Sequence, residues 1–139
     1  MDKTSILFPM VALATLTFAV LVLIPLRRFR AGSAGQIVFE DFRYGESERV
    51  PPEVRIPNRN MINLLELPVL FYVACLSYFV TERVDDGALT LAWVYVGLRI
   101  AHSAIHLTYN RVRHRLVAFA ASNVVLVMFW TYLLRAFSA

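Results

Sequence analysis

SILFPMVALATLTFAVLVLIPL, the stretch from Ser5 to Leu26, runs for 22 residues without a charged side chain. As a helix rising about 1.5 Å per residue it reaches about 33 Å, enough to cross a hydrocarbon core of ~30 Å. The rival reading is a secretory signal peptide, which needs a basic lead-in, a shorter apolar run and a small-residue cleavage site. Here the basic cluster follows the run instead, as Arg27, Arg28 and Arg30. The stretch therefore reads as a retained first membrane helix, over about residues 5–26.

Outward from it, three more apolar stretches occupy about residues 60–80, 88–109 and 116–134. Of the 139 residues, 58% are apolar and 17% charged, against ~45–50% apolar in soluble domains. A soluble chain of this length has too little interior to hide that much apolar surface. A net charge of +4 would suit a nucleic-acid binder, but the hydropathy does not. No nucleic-acid partner is expected, and the charge is read as topology. Ten arginines lie in or beside the first and third connections, whereas only Lys3, Arg83 and Arg135 lie on the other side. That asymmetry puts those two connections in the cytoplasm and both termini on the non-cytoplasmic side. The expected fold is all-α: an integral-membrane four-helix bundle forming a single domain over 1–139, with membrane lipid as its surroundings.

The connection over about 27–58 carries Gly32, Gly35, Gly45 and the Pro51-Pro52 pair, and reads as an irregular cytoplasmic loop. Its apolar run Ile37, Val38, Phe39 suits either the membrane surface or packing on the bundle. Pro9, Pro25 and Pro68 lie inside apolar stretches, where each can kink its helix. Cys75 is the only cysteine, which excludes an internal disulfide framework and a cysteine-rich zinc site.

Function is sought in the polar residues that lipid makes costly, at least ~2.5–3.5 kcal/mol for a charge at the bilayer centre. On the second span, Asn63 lies about 40° from Arg59 around the helix and Glu66 about 20° to the other side. On the third, His102, His106, Asn110 and Arg113 all fall within about 60° of Arg99, provided that helix continues to Arg113. Counted from the cytoplasmic ends, Glu66 is about 9 Å deep, His106 about 6 Å, His102 about 12 Å and Arg99 about 16 Å. Two antiparallel helices would thus face polar stripes at one level, Glu66 between the histidines and within reach of Arg99. The pattern predicts a polar cavity open to the cytoplasm. Interhelical polar glue is the plain alternative, at ~0.6–2 kcal/mol per pair. The spacing His102-x-x-x-His106 also suits a metal or haem ligand pair, but completing a zinc site needs further ligands, so no metal site is assigned. His114 reads as a solvated loop residue, and Ser122 and Asn123 as packing polars.

The stretch Arg59-Asn-Met-Ile-Asn63-Leu-Leu-Glu66-Leu-Pro68 resembles the second-helix signature of the MAPEG family, membrane-associated proteins in eicosanoid and glutathione metabolism. Leu98-Arg99-Ile-Ala-His102-Ser-Ala-Ile-His106 is similar to the third-helix region of its microsomal glutathione transferases, with His102 and His106 where family synthases carry tyrosines. Arg113 falls where a third-helix arginine of leukotriene C4 synthase lies. The resemblance covers nearly the whole chain. It implies a homotrimer that binds glutathione between subunits near the cytoplasmic surface. Arg59, Asn63 and Glu66 would hold the peptide's polar groups, with Arg99, His102 and His106 completing the binding site. Arg113 would stabilise the thiolate, and Arg27 or Arg28 would touch a carboxylate.

The chemistry is coherent. A thiol of pKa about 8.5 is mostly protonated at neutral pH, and a fixed guanidinium favours the nucleophilic anion. The expected function is a membrane-embedded glutathione (or related thiol) transferase or peroxidase acting on lipophilic electrophiles. The alternative is a non-catalytic membrane assembly or binding protein, and a less favoured one a His-based metal or haem carrier. Thirteen arginines against one lysine suit a GC-rich genome and hence a bacterial inner membrane.

Overall fold

The computed structural model describes residues 2–138. Asp2 caps a short 3-10 turn, Lys3–Ile6, by accepting from the backbone N–H of Thr4 (2.9 Å). Helix α1, Leu7–Ser33, follows directly. Its 27 residues extend about 40 Å, so the turns from Arg27 onward outrun a ~30 Å hydrocarbon core. The helix passes the expected end at residue 26 because Arg27, Arg28 and Arg30 are good helix formers once clear of lipid.

Residues 34–51 form a folded loop, shorter and more ordered than expected. Gly35 and Gly45 reverse the chain at φ 70° and 102°, where a side chain would strain the backbone. Asp41 is buried there and organises the loop. It accepts from the Val38 N–H (3.0 Å) and the Ser47 hydroxyl (2.8 Å), and pairs with Arg49 (3.2 Å). Those hydrogen bonds, the one from Val38 first, hold its carboxyl below the usual carboxylate range. Val50 and Val54 pack on Ala31 of α1, with Ile37 and Phe42 against them. Of the apolar run, Ile37 joins this packing while Val38 and Phe39 stay exposed.

The second span is two helices, α2 (Pro52–Leu65) and α3 (Pro68–Val80), not one helix over 60–80. Helix α2 starts earlier because Pro52 occupies its first position, where the missing N–H is not needed. The span breaks at Glu66 and Leu67, ahead of Pro68, which cannot donate and crowds the preceding residue. Glu82 then reverses the chain at φ 57°, and Asp85 caps α4 (Asp86–Leu107) by accepting from the Ala88 N–H (2.8 Å). A last reversal at Asn110, φ 47°, leads into α5 (Val112–Ser138).

Four helical segments are thus long and apolar enough to cross a membrane: Lys3–Ser33, Pro52–Val80, Asp86–Leu107 and Val112–Phe137. The core stacks Phe71 of α3 on Tyr95 of α4 (ring centroids 4.7 Å apart) and Tyr78 of α3 on Phe129 of α5 (4.8 Å). Cys75 is fully buried within it. Lys3 pairs with Glu82, and Tyr132 donates to Asp85 (2.8 Å), so the chain's two ends share a face with the turn between α3 and α4. The opposite end, which holds the 34–51 loop and the turn between α4 and α5, is the arginine-rich one.

Candidate functional site

At the arginine-rich end, α2, α4 and α5 border an open hollow of about 380 Å³. Helix α2 contributes Arg59, Ile62 and Asn63, one turn apart as helical spacing requires; α4 contributes His102 and His106. Val112, Arg115, Leu116 and Phe119 of α5 close the third side. Both histidines are only 2% exposed, their ring centroids 5.7 Å apart. His102 Nδ1 and both ring nitrogens of His106, all buried atoms, have no hydrogen-bond partner among the described residues. Arg115 is steadied by donating from Nη1 to the side-chain oxygen of Asn110 (2.8 Å), and Asn63 by donating to the Arg59 carbonyl (2.9 Å).

The lining holds two guanidiniums and no carboxylate. An anion is therefore the favoured guest. The volume falls within the ~300–1,000 Å³ of small-molecule pockets, and Ile62, Leu116 and Phe119 give the lining an apolar part.

Of the residues singled out by sequence, the structure brings Arg59, Asn63, His102 and His106 together. Glu66 does not join them. It sits at the helix break with ψ −103°, exposed, instead of between the histidines. Arg99 does not reach Glu66 either. Fully buried, it donates from Nη2 to the Asn63 carbonyl (2.6 Å), an acceptor freed by the break, while Nε and Nη1 find no hydrogen-bond partner among the described residues. Its role in one chain is thus to cap the end of α2, where a cation suits the helix dipole. The expected extension of the third helix to Arg113 also fails. Helix α4 ends at Leu107, so Asn110 lies in a turn, and Arg113 stands exposed on α5 away from the hollow.

Arg27 lines a second hollow of about 380 Å³, with Glu53, Ile56 and Leu107 among its walls, and Arg28 pairs with Glu46 (3.1 Å). His114 is exposed and shares a hydrogen bond with the Tyr109 hydroxyl (3.1 Å). Among the described residues, no three His, Cys, Asp or Glu side chains converge as metal ligands would. Arg115, Leu116 and Phe119 escaped the sequence reading. The signal available was Asn110, a residue type that tolerates left-handed φ. A turn there starts the last helix early enough to put all three on one face.

The MAPEG family model matches residues 6–135 of the chain. Searches of characterised proteins and of solved structures returned no match. A match across nearly the whole length, on four membrane-spanning segments, settles the family. The chain belongs to the MAPEG family: it is a multi-pass membrane protein of the broad eicosanoid and glutathione class that this family represents.

Proposed function

We propose that the protein is a membrane-embedded thiol transferase or peroxidase that uses glutathione or a related thiol against lipophilic electrophiles. The observation that carries this reading is the hollow itself: two arginines, two buried histidines and one amide, with no carboxylate, in a MAPEG chain. Arg59 binds a carboxylate of the peptide through its two-pronged guanidinium, and Asn63 and His102 orient the backbone of the thiol substrate. Arg115, the guanidinium that faces the hollow, takes the thiolate-holding role that motif spacing gave to Arg113. The apolar wall of Ile62, Leu116 and Phe119 admits the electrophile from the lipid side. Holding both partners together then supplies much of the rate.

The arginine-rich end faces the cytoplasm in this scheme, in keeping with the distribution of basic residues. Three copies assemble as the family resemblance implies, with Glu66, exposed at the break, available to a neighbouring copy or to the ligand's ammonium group. Purified protein in detergent should bind glutathione and conjugate a generic aryl halide. No thiol binding at millimolar glutathione would overturn the proposal.

A further inference from the structure

Phe39 and Tyr44 are 99% and 92% exposed, although the buried Asp41 holds together the loop that carries them. Their neighbours Ile37 and Phe42 turn inward onto Ala31, Val50 and Val54. Apolar shelter is thus within reach of the loop, and the two aromatics stand outside it.

Depth decides what covers them. The uncharged run of α1 ends at Leu26, and the loop folds back against the turns that follow. Glu46 pairs with Arg28 (3.1 Å), the Arg28 guanidinium lies 4.5 Å from the Phe42 ring centroid, and Val50 packs on Ala31. Along the helix, Arg28 and Ala31 lie about 3 and 8 Å past Leu26, whereas headgroups extend about 5–8 Å beyond the hydrocarbon on each side. The loop is therefore level with the headgroup layer, where α1 itself exposes Leu26 and Phe29. Arg49 meets Asp41, Arg43 meets Glu40 (3.6 Å) and Arg28 meets Glu46, so these carboxylates do not oppose entry.

We infer that the 34–51 loop is an interfacial anchor whose Phe39 and Tyr44 seat in the headgroup layer of the bilayer that α1 leaves. Aromatic side chains favour that layer, the ring toward the acyl chains and the tyrosine hydroxyl toward water. Because Val50 and Val54 tie the loop to the start of α2, the anchor also sets the depth of the helix that carries Arg59 and Asn63. None of this depends on the thiol chemistry proposed above.

Spin labels on the full-length protein in phosphatidylcholine vesicles test it, at Phe39→Cys, Tyr44→Cys and, as the water-exposed reference in the same loop, Glu48→Cys. Cys75 is fully buried, which leaves each introduced cysteine as the reactive thiol. Labels at 39 and 44 should meet dissolved oxygen, which concentrates in lipid, more than the label at 48, and a water-soluble nickel complex less. Phe39→Ser should raise nickel access at 44 toward the level at 48, an effect that the label's own affinity for lipid does not produce. Both residues are exposed, so the fold does not depend on either. Either label meeting nickel as freely as the one at 48 would overturn the inference. So would labels shielded from oxygen and nickel alike, as burial against a second copy would give, or seating that appears only when anionic phosphatidylglycerol is added. No change at 44 in Phe39→Ser would also count against it.

Discussion

Arg113 and Arg115 are two residues apart and chemically alike, yet only Arg115 lines the hollow. Replacing each in turn by methionine therefore separates geometry from motif. A hydrogen bond to a charged group contributes about 1.5–3 kcal/mol, which is a ~10- to 150-fold loss of affinity for an anionic ligand in Arg115→Met. Arg113→Met removes a charge in solvent. At 0.15 M salt such a charge is screened over ~8 Å, so binding should fall less than about twofold. Arg115→Lys should lie between, keeping the charge but losing the fork. Part of the effect could pass through the turn, because Arg115 is bonded to Asn110. Asn110→Gly controls for this: glycine keeps the positive φ comfortable and removes only the anchor, so a loss of a few-fold is expected. Calorimetric titration with glutathione reads all four, with size-exclusion profiles confirming the fold. Arg113→Met losing as much as Arg115→Met would show that the hollow described here is not the thiol site.

Three further outcomes follow from the scaffold. A Cβ on Gly87 would lie 2.6 Å from the Tyr132 hydroxyl and 2.9 Å from its ring carbon, so Gly87→Ala must swing the ring away from Asp85. It should stabilise the fold less in wild type than in a Tyr132→Ala background, where the helix preference of alanine acts without the clash. Equal melting shifts in both backgrounds would refute the contact. Tyr78→Phe deletes the buried bond from Tyr78 to the Phe129 carbonyl (3.1 Å) and should cost about 0.6 kcal/mol and at most ~1.7, read by thermal melting in detergent. Because the folded Asp41 carboxyl titrates below its ordinary 3.8, its support of the 34–51 loop is fully present above that value and lost as pH falls through the lowered one. Protease cleavage within the loop should thus be flat from pH 5 to 8 in wild type. Asp41→Asn should be cut faster throughout, and equal rates would count against the organising role.

Much of the fold was open to sequence reading because lipid leaves few choices: an uncharged run of Ser5–Leu26 can be little else than a span. What escaped were the places where polar chemistry ends or extends a helix. Residues 52–59 are too polar to score as membrane helix, yet Pro52 starts α2 there and so fixes the face on which Arg59 and Asn63 appear. Pro68 announced a kink, but only the structure shows a complete break, with Glu66 turned outward and Arg99 spent on the carbonyl of Asn63. Ideal spacing carried the third-helix stripe past Leu107 because nothing in that periodicity registers a turn at Asn110. The four of its residues that line the hollow all lie within regular helix, Asn63 and His106 in the last turns of α2 and α4.

The burial of Cys75 bears on how the chain would withstand the thiol chemistry proposed for it. A site that handles thiols, electrophiles and oxidants exposes any accessible cysteine nearby to alkylation or to a mixed disulfide with the substrate. The chain's one sulfhydryl is sealed among Leu64, Phe71, Tyr95 and the rest of the central packing, with no exposed surface. The protein offers itself as neither target nor competitor, and thiol-reactive dyes added to the folded form should report the substrate alone.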